Sequence, residues 1–271
     1  MSPDFTDARR LAALGTLASE AGAAIMGHYG GAASVKGDGS PVTAADHAAE
    51  EIILAGLAQL LPGVPVLAEE AAAAGTWPVC EGTLIAVDPL DGTREFISQN
   101  GEFTVNIGLI AGGRPVAGVV YAPALSRLWI GAAGKAEAMD LPPGAPIGDA
   151  KDRRTIRTRP LPPTGPVALV SRSHPDAATA TYYRERGIAE QRAVGSSLKY
   201  TLIAEGAADV TARFASITEW DIAAAHAVLV AAGGEMTRPD GLPLVYGRAD
   251  RQFRTDPFIA CSAAYAAAGR R

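Results

Sequence analysis

The sequence predicts a layered α/β protein, in which helices cover sheets of short, buried strands. Apolar runs typical of buried strands alternate with segments of helical periodicity along most of the chain. Between Gly131 and Pro166 this pattern gives way to LPPGAPIGDAKDRRTIRTRPLPPTGP, which is rich in proline, glycine and charge. Such a segment is typical of a domain boundary. We therefore expect two units, an α+β unit of residues 1–165 and an α/β unit of residues 166–271.

Two helices should open the first unit. Apolar residues recur at helical spacing in the first helix, which should end near Gly30. These residues are Leu11, Leu14, Ala18, Ala21 and Ile25. After a loop, SVKGDGSP, Thr43 and Asp46 have the spacing of a capping box. The second helix should therefore start at Thr43 and run to about Leu61, where Pro62-Gly63 stops it.

Four strands should follow these helices. VPVLAEE and TLIAVDP each have the pattern of a short buried strand that ends in carboxylates. EFTVNIGLI places Phe103, Val105, Ile107 and Leu109 on one face. PVAGVVYAP should pair with it as a hairpin across Gly112-Gly113.

Strands and helices should alternate in the second unit. VALVS and ADVTARF have the pattern of buried strands, with a further short strand between them. Helices are expected over residues 175–187, 196–205 and 221–232. Strands should fill the rest of the chain to its end. This alternation predicts an α/β layer.

Composition excludes several classes of function. The net charge of -5 over 271 residues comes without a long acidic or basic run. The sequence therefore predicts no extended positive potential that would attract nucleic acid. No stretch reaches the roughly 18 apolar residues of a membrane-spanning helix. The N-terminal residues have no apolar block or cleavage site, so we expect a cytoplasmic protein. Cys80 and Cys261 lack metal-binding spacing and fit two ordinary buried thiols.

Carboxylates gather where the predicted strands end. Glu69 follows VPVLA, Asp88 and Asp91 flank Pro89-Leu90, and Asp221 opens a helix. Strand ends converge on one edge of a sheet, so Glu69, Asp88 and Asp91 could meet there. Hard oxygen ligands without nearby His or Cys favour magnesium, manganese or calcium over zinc, and the Leu90 carbonyl could add another ligand. Two ions would explain so many acids and would suit phosphoryl transfer.

The residues after Asp91 fit a phosphate site. If a helical turn starts at Asp91, the amides of Gly92, Thr93 and Arg94 would point at an anion, and Gly92 would allow its close approach. The Thr93 hydroxyl could orient a water. The same Asp-x-x-Asp-Gly sequence is equally typical of an ordinary turn with side chains that cap their own backbone. The nearby acid at Glu69 favours the metal site.

Structural roles compete with functional ones elsewhere. Asp46 could serve only in its capping box, Asp221 could be a helix N-cap, and Glu70 could be a solvated or supporting residue. A structural role is favoured for the lone histidines His28, His47 and His226. SRSH, GSSLKY and Arg213 offer polar and basic groups in the second unit. Ser196 could cap a helix with Lys199 in solvent, or both could bind a second anionic group.

Several of these motifs together resemble one protein family. The glutamate pair at residues 69 and 70, DPLDGT and WDIAAAHAVLVAAGG, in that order, are similar to the signature of the magnesium-dependent, lithium-sensitive phosphatases related to inositol monophosphatase. SPVTAAD, DPLDGTREFISQNGEFTVNIGLI, VVYAP, SRSH and GSSLKY resemble more narrowly the 3′(2′),5′-bisphosphate nucleotidases of the CysQ type. The likeness runs from about Gly22 to Gly234. It implies an inositol monophosphatase-like αβαβα sandwich with the site between the two units.

The resemblance also implies a role for each matching residue. Two or three Mg²⁺ ions are expected. Glu69, Asp88 and the Leu90 carbonyl would hold one, and Asp88, Asp91 and Asp221 would hold a second. Asp46 would act through water near a third, and Glu69 and Thr93 would orient the attacking water. The scissile phosphate would bind at Asp91 and at Gly92, Thr93 and Arg94, and the nucleotide with its second phosphate would bind at His174, Ser196, Lys199 and Arg213.

The resemblance thereby predicts the reaction. The expected substrate is adenosine 3′,5′-bisphosphate (PAP), which would lose its 3′-phosphate to give AMP, with the sulfated form (PAPS) as a further candidate. An inositol or sugar phosphatase, and a non-catalytic nucleotide-binding or metal-binding module, are the alternatives. Some family members associate peripherally with the inner membrane, although no anchor is visible here. Three departures from the family pattern stand out: Arg94 in place of lysine, Ile222 in place of threonine and Ala225 in place of glycine.

Overall fold

Two large sheets and eight helices form the part of the chain that the structure describes. A computed structural model describes residues 5–30, 33–35, 41–80 and 82–269. The loop predicted at SVKGDGSP includes residues 36–40, which lie outside this description. A small two-stranded sheet precedes the larger ones and pairs β1 (Ala33–Val35) with β2 (Pro41–Thr43). Among the described helices, none combines the length and apolarity that a membrane crossing requires.

The two predicted N-terminal helices are present. Helix α1 spans Ala8–Gly27, where the Asp7 side chain accepts a hydrogen bond from the Arg10 amide, and all five predicted apolar residues of this helix are buried. Helix α2 spans Ala44–Leu60, and the predicted capping box of Thr43 and Asp46 opens it.

A seven-stranded sheet follows these helices in the chain. Its strands lie side by side in sequence order, with one parallel pair at the start and antiparallel pairs after it. They are β3 (Val66–Ala68), β4 (Thr83–Asp91), β5 (Thr104–Ala111), β6 (Arg114–Ala122), β7 (Arg127–Ala132), β8 (Lys135–Asp140) and β9 (Lys151–Thr155). Two short helices interrupt this run, α3 (Glu69–Ala73) and α4 (Thr93–Ile97). The predicted hairpin of β5 and β6 is confirmed, whereas β8 and β9 extend the sheet into the segment that we predicted as a boundary.

The remaining strands form a five-stranded mixed sheet in the order β11-β10-β12-β14-β13. These strands are β10 (Val167–Ser171), β11 (Glu190–Val194), β12 (Val210–Arg213), β13 (Glu235–Thr237) and β14 (Phe258–Cys261). The helices among and after them are α5 (Ala177–Glu185), α6 (Leu198–Ala204), α7 (Ala223–Ala231) and α8 (Ala263–Gly269). The expectation of strands to the end of the chain was wrong, because α8 follows the last strand.

The elements stack as five layers, which confirms the predicted αβαβα order. Helices α1 and α2 pack on one face of the seven-stranded sheet, where the side chains of Val105, Ile107 and Leu109 join their apolar cluster. Helices α6 and α7 lie between the two sheets, and α5 and α8 cover the outer face of the five-stranded sheet. The division into two units stays a prediction, since the cluster between the sheets draws residues from both, including Leu84 and Leu169.

Helix α7 lies unusually close to the seven-stranded sheet. Gly108, Gly118 and Gly131 pair directly with one another across β5, β6 and β7, and we call them the glycine row. A Cβ atom at Gly118 would lie 2.1 Å from the carbonyl oxygen of Ala224, and one at Gly131 would lie 2.5 Å from the Cα of Val228. The backbone of α7 therefore packs directly on the glycine row. This contact fixes how far the residues before the helix lie from the seven-stranded sheet.

Candidate active site

The motif around Asp88 forms a bulge within a strand. Asp88 pairs with Asn106 and Asp91 with Thr104, so β4 has one residue more than β5 between these pairs. The Asp88 carboxylate accepts a hydrogen bond of 3.0 Å from the Leu90 amide, which stabilises this local path. Strand β4 thus continues to Asp91, so residues 88–91 do not form the ordinary turn that the sequence left open, and the extra residue is absorbed inside the sheet.

Three carboxylates meet beside this bulge. Glu69 starts α3, Asp88 lies on β4 and Asp221 precedes α7, and each offers an oxygen within 4.8 Å of the others. The buried Glu50 side chain accepts hydrogen bonds from the amides of residues 70 and 71 at 2.8 and 2.9 Å, which holds the first turn of α3 in place. Of the two ion sites that the resemblance implies, Glu69 belongs to the first, Asp221 to the second and Asp88 to both.

The cluster carries an unfavourable concentration of like charge. Burial raises the pKa of Asp88 well above its usual value, and the neighbouring Glu69 raises it further. Burial first, and then Asp221, raises the pKa of Asp91 to about 7. Among the described residues, the cluster itself consists of three acidic side chains, Glu69, Asp88 and Asp221. A hard divalent cation fits this donor set, because it would offset the repulsion among carboxylates that lie this close together.

A buried polar network holds Asp91. The backbone N–H of Ser197 donates to its Oδ2 atom, and the Asn106 amide lies 3.5 Å from the same oxygen. The Ser197 hydroxyl in turn donates to Asn106 Oδ1 at 2.8 Å and lies 2.8 Å from the hydroxyl of Thr104. Ser197 precedes α6, whereas Thr104 and Asn106 lie on β5. The network therefore ties the start of α6 and strand β5 to one oxygen of Asp91.

Gly92 and Thr93 follow the bulge in the conformation that a tight approach requires. Gly92 has φ 93 and ψ 44, and a Cβ atom there would lie 3.2 Å from the Ser196 side chain, so glycine is required on both grounds. Helix α4 begins at Thr93, later than the predicted turn at Asp91. The Thr93 hydroxyl lies 3.4 Å from both Asp46 Oδ1 and the Leu90 carbonyl. Asp46 therefore both caps α2 and reaches the site.

Basic groups line the same cleft, which has a volume of about 580 Å³. Arg94 donates to the Ser173 carbonyl at 3.2 Å, and Arg213 donates to the His174 carbonyl at 3.0 Å. The Nε atom of Arg213 is buried and has no hydrogen-bond partner among the described residues. Burial, followed by Arg94 and Arg213, lowers the pKa of His174. We call His174, Ser196, Lys199 and Arg213 the basic wall.

Lys199 belongs to this wall and does not point freely into solvent. It is partly buried, its ammonium donates to the Ser196 carbonyl, and burial lowers its pKa while Asp91 opposes the shift. Ser196 adopts a left-handed backbone with φ 49, and its hydroxyl accepts from the Leu198 amide at 3.3 Å. Ser197 occupies the N-cap position of α6, so the expected cap at Ser196 was wrong by one residue, and Ser196 lines the cleft.

Two structural predictions nearby need correction. Glu70 is buried, so it is not a solvated residue. Asp221 does not cap α7, because Ile222 occupies the N-cap position and the Asp221 carboxylate instead accepts from the Thr218 amide at 3.0 Å. His226 has the expected structural role, since its ring lies 2.8 Å from the Tyr246 hydroxyl and burial lowers its pKa to about 3.

Sequence reasoning missed several residues of the cleft. Glu95 is buried and accepts from the Ser173 hydroxyl, and Trp77, Gln252 and Arg254 line the cleft from other loops. Glu95 lies within REFISQNGEFTVNI, so its position beside Arg94 was an available signal. The other three come from loops without a periodic pattern, and only the fold brings them to the cleft.

Comparison with known proteins agrees with this architecture. Residues 7–262 match the model of the inositol monophosphatase family. The chain is 45% identical over 236 residues to the 3′(2′),5′-bisphosphate nucleotidase CysQ of Salmonella typhimurium, covering 85% of this chain and 91% of the relative. The crystal structure of CysQ from Bacteroides thetaiotaomicron superimposes with a TM-score of 0.76 at 35% identity, over 95% of this chain and 98% of that one. An inositol monophosphatase structure from Anabaena gives a TM-score of 0.70 at 28% identity, over 94% and 90% of the two chains.

Proposed function

The chain belongs to the inositol monophosphatase family, and we propose that it is a Mg²⁺-dependent phosphatase that removes the 3′-phosphate of adenosine 3′,5′-bisphosphate to give AMP and phosphate. One observation carries this proposal. A single cleft combines a cluster of converging carboxylates with a basic wall that contains an unpartnered, buried Arg213 nitrogen. The family is metal-dependent, and relatives at 44–45% identity are named as 3′(2′),5′-bisphosphate nucleotidases.

The carboxylates are suited to hold the ions. Glu69, Asp88 and Asp221 would bind them through the oxygens that already converge, with Asp91 and the Leu90 carbonyl as further ligands. Two or three ions would supply charge stabilisation for the transferred phosphoryl group and lower the pKa of a bound water. The network of Ser197 and Asn106 would keep one Asp91 oxygen fixed, so that the other points consistently toward an ion.

The remaining residues would position the substrate. Gly92 gives the 3′-phosphate room beside the bulge, and the Arg94 side chain lies close enough to the cleft to pair with it. Thr93, held near Asp46, is placed to accept or donate a hydrogen bond to the attacking water. Arg94 presents a planar guanidinium where the family resemblance implies lysine, which allows two-point contact with the phosphate.

The basic wall favours a substrate with a second phosphate. Lys199 and Arg213 line the same cleft as the acids, and the Nε atom of Arg213 has no hydrogen-bond partner among the described residues. An inositol monophosphate has only one phosphate and would offer these cations no second one. A nucleoside 3′,5′-bisphosphate would satisfy them with its 5′-phosphate, and the sulfated form PAPS would do so equally. The partner is therefore a small nucleotide.

A phosphate-release assay tests the proposal directly. The purified full chain is given adenosine 3′,5′-bisphosphate, PAPS or inositol 1-phosphate, with Mg²⁺ or with EDTA. We expect release from the nucleotides only when Mg²⁺ is present, and little release from inositol 1-phosphate.

The Asp91→Asn variant should lose turnover by a factor of about 100 or more, because it loses a ligand charge. Asp152→Asn is the matched control, since Asp152 is exposed on β9 with φ 48, a conformation that Asn accepts.

Each alternative has its own outcome in this assay. Faster release from inositol 1-phosphate than from either nucleotide would identify an inositol phosphatase and overturn the proposal. Absence of release from every substrate, with nucleotide binding retained, would indicate a non-catalytic module.

Lys199→Ala should raise KM for adenosine 3′,5′-bisphosphate with little change in kcat, because a contact to the second phosphate contributes uniform binding.

A further inference from the structure

One side of the cleft has no part in the chemistry proposed above. It consists of Trp77, Gln252 and Arg254, which we call the aromatic wall. Trp77 follows α3 in the chain, and the other two lie in the loop before β14. The aromatic wall thus comes from segments different from those that supply the basic wall, although both line the same cleft.

Trp77 presents an aromatic surface to the cleft. One face of its indole ring stacks on Phe253 with centroids 5.7 Å apart and planes only 6° apart. Phe253 is buried, whereas 44% of the Trp77 surface remains accessible. Because Phe253 covers one face, the accessible surface belongs to the ring edge and the opposite face. A rigid, half-open indole is the kind of surface on which a nucleobase stacks.

The backbone beneath this surface is strained. Gln252 and Phe253 are consecutive left-handed residues with φ 53 and φ 54, and neither is glycine. The Phe253 amide donates to the Arg248 carbonyl, and the Phe253 carbonyl accepts from the Glu219 amide, which fixes this conformation. Such strain persists only where the surroundings enforce it, and it is concentrated at binding sites.

Polar groups beside the ring are available to a ligand. The Arg254 guanidinium and the Gln252 amide have no hydrogen-bond partner within the described part of the chain, and both residues are exposed at the cleft. The amide can donate and accept at once, whereas the guanidinium only donates. Together they match the edge of a heteroaromatic ring that carries acceptor nitrogens.

We propose that the aromatic wall binds the base of the nucleotide. In a nucleoside 3′,5′-bisphosphate the 5′-phosphate extends from C4′ and the base from C1′, on either side of the carbon that bears the 3′-phosphate. With the 3′-phosphate at the carboxylate cluster and the 5′-phosphate at the basic wall, the base extends toward the remaining side of the cleft. There it stacks on Trp77, and Gln252 and Arg254 bind its edge. This inference rests on the proposed nucleotidase function.

The test compares a substrate with its base against the same substrate without it. KM and kcat are measured for adenosine 3′,5′-bisphosphate and for 1-deoxyribose 3,5-bisphosphate, using wild type and Trp77→Ala. We expect Trp77→Ala to raise KM for the nucleotide about tenfold, to leave its kcat within about twofold, and to leave KM for the abasic compound unchanged. Trp77→Phe should restore most of the affinity. Val79→Ala is the matched control, because Val79 lies in the same loop at 82% exposure and does not line the cleft.

The outcomes separate this inference from the function on which it rests. If wild type hydrolyses both compounds and Trp77→Ala changes KM for both equally, the aromatic wall does not bind the base although the nucleotidase assignment stands. If wild type releases phosphate from neither compound, the function and the inference both fail. Should Trp77→Ala not fold, as judged by its thermal transition, Gln252→Ala with Arg254→Ala is the second test. That pair should raise KM for the nucleotide alone, and an unchanged KM would overturn the inference.

Discussion

Asp88 lies in an environment that disfavours its charged form. It is almost completely buried, so its charged form has little contact with solvent and meets the like charges of Glu69, Asp91 and Asp221. A raised pKa is the direct result, because the proton removes the repulsion. The same property that suits the cluster to a cation therefore makes the folded protein a stronger proton binder than its unfolded chain.

This difference predicts how the effect of magnesium depends on pH. The pKa of Asp91 rises from 3.8 in an ordinary environment to about 7 in the folded protein. Between these values the folded state binds more protons than the unfolded state, so the metal-free protein loses stability as the pH rises through this window. Mg²⁺ bound at the proposed site would replace the proton and remove the loss. We expect the increase in melting temperature on Mg²⁺ addition to grow by several degrees from pH 5 to pH 7.5, as measured by thermal unfolding with Mg²⁺ or EDTA.

Comparing the two metal states isolates the cluster from other titrating groups. His226 is held neutral by burial, with its pKa lowered from 6.5 to about 3, so it stabilises the protein less as the pH falls below its unfolded value. It acts equally with and without Mg²⁺, and its contribution cancels in the difference. Asp88→Asn should flatten the pH dependence of this difference. A magnesium effect that stays constant or shrinks as the pH rises would contradict the assignment of the cluster as a cation site.

At the scale of elements, the position of α7 depends on the glycine row. A side chain at Gly108, Gly118 or Gly131 would meet backbone atoms of α7 at 2.7 Å or less. Helix α7 cannot move outward without repacking, because α6 and the second sheet cover its other side. Since Asp221 lies directly before this helix, the row fixes the depth at which its carboxylate meets those of Glu69 and Asp88.

Gly118→Ala tests this arrangement. The added methyl would lie 2.1 Å from the Ala224 carbonyl oxygen, so α7 must shift. We expect the free energy of unfolding to fall by about 2 kcal/mol or more, and Mg²⁺ affinity to weaken in the folded fraction. Urea unfolding and calorimetric Mg²⁺ titration measure the two effects. Gly148→Ala is the control, since a Cβ atom there has open space and the residue does not have a positive φ. Equal stability of both variants would show that the row is not needed.

At the scale of the whole molecule, the core between the sheets belongs to both of them. Its members include Trp129 from the first sheet and Phe258 from the second, with α7 between them. An ion pair also joins the residue after β10 to the segment before β5, in which Arg172 donates two hydrogen bonds to Glu102 at 2.7 and 2.8 Å. Neither half could leave the other without exposing this shared apolar surface.

We therefore expect a single unfolding transition. Tryptophan fluorescence, which reports chiefly on the surroundings of Trp129 and Trp220, and far-ultraviolet circular dichroism should give the same urea midpoint, as for a cooperative unit. Mg²⁺ should move both curves together. Two separated midpoints would instead favour the division at residue 165 into independently folding units.

The sequence was sufficient for the elements with strong periodicity and for the motif-bearing site residues. It could not predict β9, because the strand KDRRT lies exposed at a sheet edge and has no apolar face. Helix α8 was missed since AAYAAAG carries too little contrast between its faces to distinguish a helix from a buried strand. The bulge after Asp88 depends on the pairing of β4 with β5, and the aromatic wall depends on loops from distant parts of the chain. Both are tertiary features without a local pattern.

The glycine row also determines which second mutations could repair a damaged protein. At Gly56 on α2, a Cβ atom would meet the Leu17 side chain at 2.4 Å, so a smaller residue at 17 could restore the fit. At Gly118 the obstacle is the main chain of Ala224, and no exchange of residue 224 removes a carbonyl oxygen. A genetic screen should therefore recover local suppressors of Gly56→Ala at Leu17, whereas survivors of Gly118→Ala should be reversions to glycine.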